Sequence, residues 1–169
     1  MIVPFMANPS IDLSPEQSSA LDLLRSGENV FLTGGAGSGK SFLIRQFMRE
    51  LDAKEMPILA STGAAAVLLG GRTFHSFFGL GIMEGGADAT YERASKDKRL
   101  MSRLRKVEGV IIDEISMIPG QALMIAEALS QRARESKLPW GGMRVITVGD
   151  FAQLPPVTQG GPRDWCFLN

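Results

Sequence analysis

The chain has 169 residues but only one cysteine, one histidine and one tyrosine. Each scarcity removes a class of chemistry. Cys166 alone cannot form an internal disulfide, which favours a reducing compartment, and no base or metal partner sits at a telling spacing from it. His75 alone leaves a zinc site without its usual ligands. No apolar run reaches the roughly 18 residues of a membrane span, and no basic-then-apolar leader opens the chain, so membrane and secretory readings have no support. Lys and Arg balance Asp and Glu to a formal net charge of zero. That excludes a wholesale cationic nucleic-acid binder but leaves room for a local basic patch. What remains, at 44% apolar residues, is an ordinary globular composition with enough length for one well-buried domain.

Glycine is plentiful, and in one place its spacing carries chemistry. Within NVFLTGGAGSGKSFLIRQF, residues 29–47, Gly34, Gly39, Lys40 and Ser41 complete the G-x-x-x-x-G-K-S/T pattern of a phosphate-binding loop. Val30, Phe31, Leu32 and Thr33 read as a buried strand before it. Phe42, Leu43, Phe47 and Leu51 recur at helical spacing after it. Backbone N–H groups of Gly35, Gly37, Ser38 and Gly39 can turn inward around an anion, and the following helix adds its positive end. Lys40 can then reach the β- and γ-phosphates, and the Ser41 hydroxyl can ligate Mg²⁺. A nucleoside triphosphate site is the starting point.

Upstream, residues 1–12 read as a flexible lead-in with Pro4 and Pro9. Ser14-Pro15-Glu16-Gln17 is a helix start, with Ser14 as N-cap, Pro15 at N1 and Gln17 at N3 of a capping box. If that helix lies beside the phosphate loop, the Gln17 amide can also pair with donor and acceptor on an adenine edge. Residues 57–61 read as a second strand, followed by the turn Thr62-Gly63, a helix over 64–69 and a Gly70-Gly71 break. In the next segment, RTFHSFFG, Arg72 and the hydroxyls of Thr62, Thr73 and Ser76 are candidate phosphate contacts. Phe74, His75 and Phe77 are candidates to stack on or support bases; simple core packing explains the aromatics equally well. Residues 79–89 read as a long surface loop. Residues 91–107 are helical and strongly basic, either a phosphate track or a solvated helix face.

Val110, Ile111 and Ile112 run directly into Asp113-Glu114. Two carboxylates at the end of an apolar strand need a partner, and bound Mg²⁺ supplies one: Asp113 holds the ion and Glu114 orients the attacking water. A further helix follows Pro119. A fourth strand, residues 144–148, ends in the shaped loop GDFAQLPP, where Gln153 can sense a γ-phosphate and Asp150 can organise the metal shell or the loop.

Together these motifs resemble the N-terminal motor domain of the Pif1-like helicases of superfamily 1B. The resemblance rests on SPEQ, GGAGSGKS, STGAAA, GGRTFHSFFG, IIDEISM and GDFAQLPPV, and covers residues 13–157. It implies a RecA-like P-loop NTPase fold, an α/β domain with a mostly parallel sheet and helices on both faces. It also implies ATP-driven 5′-to-3′ movement on single-stranded DNA and duplex unwinding in DNA repair, recombination and genome maintenance. By position, Gln17 would contact adenine; Lys40 the phosphates; Ser41 and Asp113 Mg²⁺; Glu114 the water. Gln153 would couple the γ-phosphate to movement, and the segment around Thr62, Gly63, Phe74 and His75 would contact or support the DNA path, with Arg72 as a DNA-binding candidate beside them.

Such motors close ATP between two RecA-like domains, and residues 158–169 read as only the start of a further element. The expectation is therefore a monomeric piece that binds nucleotide, hydrolyses it poorly and needs its second domain in cis. The expected location is cytoplasmic in a bacterium, or nuclear or mitochondrial in a eukaryote. A different P-loop phosphotransferase and a non-catalytic DNA-binding module remain open as alternatives.

Overall fold

Strands buried on both faces must be apolar along their whole length, because each face meets a helical layer. The computed structural model describes residues 12–152 and places such strands at its centre. Five strands, β1 (Val30–Leu32), β2 (Ile58–Ala60), β3 (Arg72–Thr73), β4 (Gly109–Ile112) and β5 (Arg144–Val148), form one sheet in the order β1-β5-β4-β2-β3. Every pairing is parallel, with Val30 opposite Ile146, Ile111 opposite Ile146 and Leu59 opposite Ile112. All of β2 and β4 is buried.

Alternation along the strands divides the core in two. Ile58, Ile111, Ile146 and Val148 pack with Leu21 and Leu24 of α1 (Pro15–Arg25) and Leu43, Ile44 and Phe47 of α2 (Lys40–Met48). Leu59, Val110, Ile112 and Val145 face the opposite layer. It comprises α4 (Phe74–Phe77), α5 (Gly86–Ser95), α6 (Lys98–Lys106) and α7 (Gly120–Arg134). Helices cover both faces, as the α/β reading requires. The short α3 (Gly63–Leu69) follows β2. Because the strands run parallel, the segments leaving their C-terminal ends share one edge of the sheet. Those segments carry the phosphate loop, Thr62-Gly63, Asp113-Glu114 and Gly149-Asp150.

Three local expectations change. Arg72–Thr73, read as loop, is an edge strand of two residues paired with β2. The stretch 91–107 is two helices, because the Asp97 side chain accepts from the N–H groups of Arg99 and Leu100 and caps a new helix at 2.8 and 3.2 Å. The surface loop 79–89 ends early, with α5 beginning at Gly86.

Candidate nucleotide-binding site

The site begins where β1 ends and α2 begins. Gly39 is the N-cap of α2 at φ 88°, a left-handed conformation that a side chain resists. An added Cβ would also lie 2.6 Å from Gln17 Nε2. Helix α1 therefore does lie against the phosphate loop. Gln17 has both expected bland contacts and one more. Ser14 Oγ accepts from Gln17 N at 3.2 Å, Gln17 Oε1 accepts from Ser14 N at 3.1 Å, and Gln17 Nε2 donates to the Ser38 carbonyl at 3.3 Å. One N–H and one lone pair of the amide stay available to a base edge. A groove lined by Gln17, Ala20, Leu32, Thr33, Ser38 and Leu43 opens beside it.

Lys40 Nζ folds back onto its own loop, donating to the carbonyls of Gly34 at 2.6 Å and Gly35 at 3.1 Å. A cleft of about 400 Å³ joins Ala36, Gly37, Ser38, Gly39, Lys40 and Ser41 to Glu114 across the sheet edge. The acidic strand end thus comes to the phosphate loop although some seventy positions separate them in sequence. Glu114 sits at φ 53°, ψ 51°, a left-handed conformation rare outside glycine and often stored at functional sites. The chain turns at once into a 3-10 segment, Ile115–Met117.

Electrostatics fit this placement. Burial pushes the Asp113 carboxyl above its ordinary range, and the Glu114 backbone N–H, Lys40 and Arg45 only partly oppose it. Burial also raises Glu114, and the negative charges of Asp113 and Asp150 add to the effect while Lys40 opposes it. Glu114 thus lies in the field of Asp113 and Asp150, and Lys40 and Arg45 offset part of the negative charge at this strand end. Among the described residues no group of three or more His, Cys, Asp or Glu side chains is placed to hold a metal ion by itself. Asp150 accepts from Ala152 N at 2.9 Å and so organises its loop. Gln153 lies outside the described residues.

The residues expected on the DNA path divide. Thr62 is exposed, and its hydroxyl accepts from Ala65 N at 3.3 Å as the N-cap of α3, with exposed Gly63 as the first helical residue. Arg72 is exposed and donates to the Ser76 hydroxyl at 3.2 Å. His75 is half-buried, and burial lowers its pKa. Phe74 requires correction. At 0% exposure it packs on Phe78 with ring centroids 4.8 Å apart, so its ring offers no face to a base and its role is to support α4 from below. Phe77 is buried in the same way at 2%. Sequence reasoning missed Arg45, which reaches the Asp113 field from α2, and read Arg103 only as one cation of the basic stretch 91–107, whereas it stacks on Phe77. Arg45 lies four residues after Ser41, one helical turn along α2, which was a usable signal for the first; for the second the signal was only the basic stretch 91–107 as a whole.

A model of the PIF1-like helicase family matches residues 12–168. The chain belongs to that family. It is 92% identical over 169 residues to the ATP-dependent DNA helicase Pif1 of Bdellovibrio bacteriovorus, covering 100% of this chain and 38% of that relative. It is 38% identical over 161 residues to the ATP-dependent DNA helicase PIF1 of Saccharomyces cerevisiae, covering 93% of this chain and 19% of that protein. Among solved structures it is similar to Pif1 helicase from Candida albicans, with a TM-score of 0.84, 38% identity, and 93% of this chain and 36% of that one covered. Pif1 from Bacteroides, solved in complex with ADP-AlF3 and ssDNA, gives a TM-score of 0.73 and 34% identity over 89% of this chain and 35% of that one. The PIF1-like chain therefore has the RecA-like fold of these helicases and spans well under half the length of these relatives.

Proposed function

We propose that this chain is the N-terminal ATP-binding motor domain of a DNA helicase that couples ATP hydrolysis to 5′-to-3′ movement on single-stranded DNA and to duplex unwinding. The carrying observation is the single cleft shared by the phosphate loop and Glu114. Family membership and the relatives' names supply the helicase context, and the Bacteroides complex supplies the precedent for single-stranded DNA.

In this reading the loop N–H groups from Gly35 to Ser41 bind the phosphates, and Lys40 exchanges its two carbonyl partners for phosphate oxygens. Gln17 pairs with the adenine edge while bracing the loop at Ser38. Mg²⁺ supplies charge neutralisation at the phosphates, with Ser41 and Asp113 as its protein ligands. Glu114 accepts a hydrogen bond from the attacking water and orients it; its raised pKa suits a group that takes a proton. Gln153 reports on the γ-phosphate, and Thr62, Gly63, Arg72 and His75 border the DNA. A second RecA-like domain in cis completes the charge stabilisation, so the monomeric piece alone grips ATP and turns it over slowly. The cellular place for such work is intracellular.

The test is paired. ATP turnover and unwinding are measured for this chain and for the full-length protein, with and without single-stranded DNA. The expected result is DNA-stimulated turnover and unwinding by the full-length protein only. Strong unwinding by the 169-residue chain alone, or phosphoryl transfer to a small acceptor in place of DNA-stimulated hydrolysis, would overturn the proposal.

A further inference from the structure

The pairing of β2 with β4 carries the chain as far as Asp113 and then stops. Leu59 lies opposite Ile112, and Asp113 N donates to the Leu59 carbonyl at 2.8 Å. Glu114 is the next residue, and neither pairing of β4 reaches it. Yet it stands in the left-handed region at φ 53°, ψ 51°, which a residue with a side chain keeps only where its surroundings impose it. The turn that follows does so. Met117 N donates to the Glu114 carbonyl at 3.0 Å, Ile118 N donates to the Ile115 carbonyl at 3.0 Å, and Ile115 and Ser116 are buried. Whatever fixes this turn therefore fixes the direction of the Glu114 carboxylate.

Two side chains of the turn carry heteroatoms, and they behave differently. Ser116 Oγ is buried with no hydrogen-bond partner among the described residues, so it ties the turn to nothing. Met117 Sδ accepts from Ser61 Oγ at 3.6 Å, a contact across 56 positions. Ser61 is the first residue past β2, so this contact takes over where the ladder between β2 and β4 ends. Both side chains are half-buried. A thioether is a weak acceptor, but it holds a hydroxyl more firmly in such a place than in open water. Packing alone does not ask for sulfur here, because leucine fills nearly the same volume as methionine. What leucine lacks is the lone pair that Ser61 uses. Neither Ser61 nor Met117 lines the cleft shared by the phosphate loop and Glu114, so ATP binding does not need them.

We propose that Met117, held by Ser61, is a positioning residue for Glu114: the hydroxyl–thioether contact fixes the turn and so aims the carboxylate at the phosphate loop. This rests on the reading of Glu114 as the group that orients the attacking water. A carboxylate aimed slightly wrong still leaves ATP bound but lowers the chance that water is in line, so the loss falls on kcat rather than on KM.

The experiment measures ATP turnover by the full-length protein at saturating single-stranded DNA, with DNA affinity measured separately. The expected result is a kcat about fivefold lower in M117L and in S61A, with KM for ATP and DNA affinity within about twofold of wild type. The double variant is expected to lose about fivefold as well, because both substitutions remove one contact. S61T keeps the hydroxyl and is expected to restore kcat. Thermal melts check each fold; if M117L does not fold, S61A and S61T still decide, the first lowering kcat and the second keeping it. Wild-type kcat in M117L or S61A, or a raised KM with kcat unchanged, would reduce the contact to packing and overturn the inference. Losses that multiply to about 25-fold in the double variant would show two independent effects and overturn the shared contact. Wild-type protein with no DNA-stimulated turnover would sink the hydrolytic reading of Glu114 and the inference with it, whereas failure of the inference alone leaves wild-type turnover intact.

Discussion

Gln17 has two roles that one pair of substitutions separates. Its Oε1 closes the capping box on Ser14 N at 3.1 Å, and its Nε2 braces the phosphate loop at Ser38 O at 3.3 Å. Gln17→Ala removes both contacts. An ordinary hydrogen bond contributes about 0.5–1.5 kcal/mol net, and exposure places these two at the lower end, so about 1 kcal/mol in total is expected. For a domain of this size that lowers Tm by about 2–4 °C. Gln17→Glu keeps an acceptor for Ser14 N and adds a negative charge in the first turn, which the helix dipole favours, so stability stays within about 0.5 kcal/mol of wild type. The carboxylate cannot donate to Ser38 O or to a base, and it faces that carbonyl repulsively. ATP affinity is therefore expected to fall about tenfold, the equivalent of about 1.4 kcal/mol, with preference for ATP over GTP lost. Thermal melts and fluorescent-nucleotide titrations read the two effects. A Gln17→Glu protein that melts as low as Gln17→Ala would refute the capping role. One that binds ATP with wild-type affinity and selectivity would refute the base-pairing role.

Asp113→Asn is expected to raise Tm in the absence of nucleotide at pH 7 while abolishing DNA-stimulated turnover. Because folding raises the Asp113 pKa above its ordinary 3.8, wild type loses stability as pH rises through the folded-state value, and the variant's advantage should vanish as pH falls below 3.8. An advantage that grows on acidification would reverse that sign and contradict the burial argument. Gly149→Ala places a Cβ 2.9 Å from Ile115 Cγ2 and 3.2 Å from Ile115 N. Such overpacking costs about 1–3 kcal/mol and would displace the turn that carries Glu114. Chemical denaturation checks the first effect and turnover the second; a variant with wild-type stability would mean that the turn yields freely.

How much of this was legible in the linear sequence depends on how local each cause is. The phosphate loop, the Asp113-Glu114 pair and four of the strands depend on spacing or on runs of apolar residues, and all are readable from neighbouring letters. The capping box at Ser14 was readable for the same reason. Arg72–Thr73 was not, because a two-residue edge strand has no periodicity and exists only through pairing with β2. Phe74 was misplaced among DNA contacts because an aromatic-rich turn looks alike whether its rings face a base or a core. Its contacts with Phe78 and the helical layer settle the matter in three dimensions. The break at Asp97 did carry a local signal, an Asp ahead of an amphipathic run, which the surrounding basic pattern hid. Arg103 was legible only as one of several cations in the basic stretch 91–107, because its contact with the Phe77 carbonyl spans 26 positions.

The central claim is that Glu114 and the phosphate loop form one hydrolytic site. Glu114→Gln in the full-length protein tests it most directly, with ATP binding and DNA-stimulated ATP turnover measured on the same preparation. The expected result is ATP affinity within a few-fold of wild type and turnover lowered by about 10²-fold or more, the scale of losing a positioned general base. Wild-type-like turnover with ATP bound normally would contradict the claim.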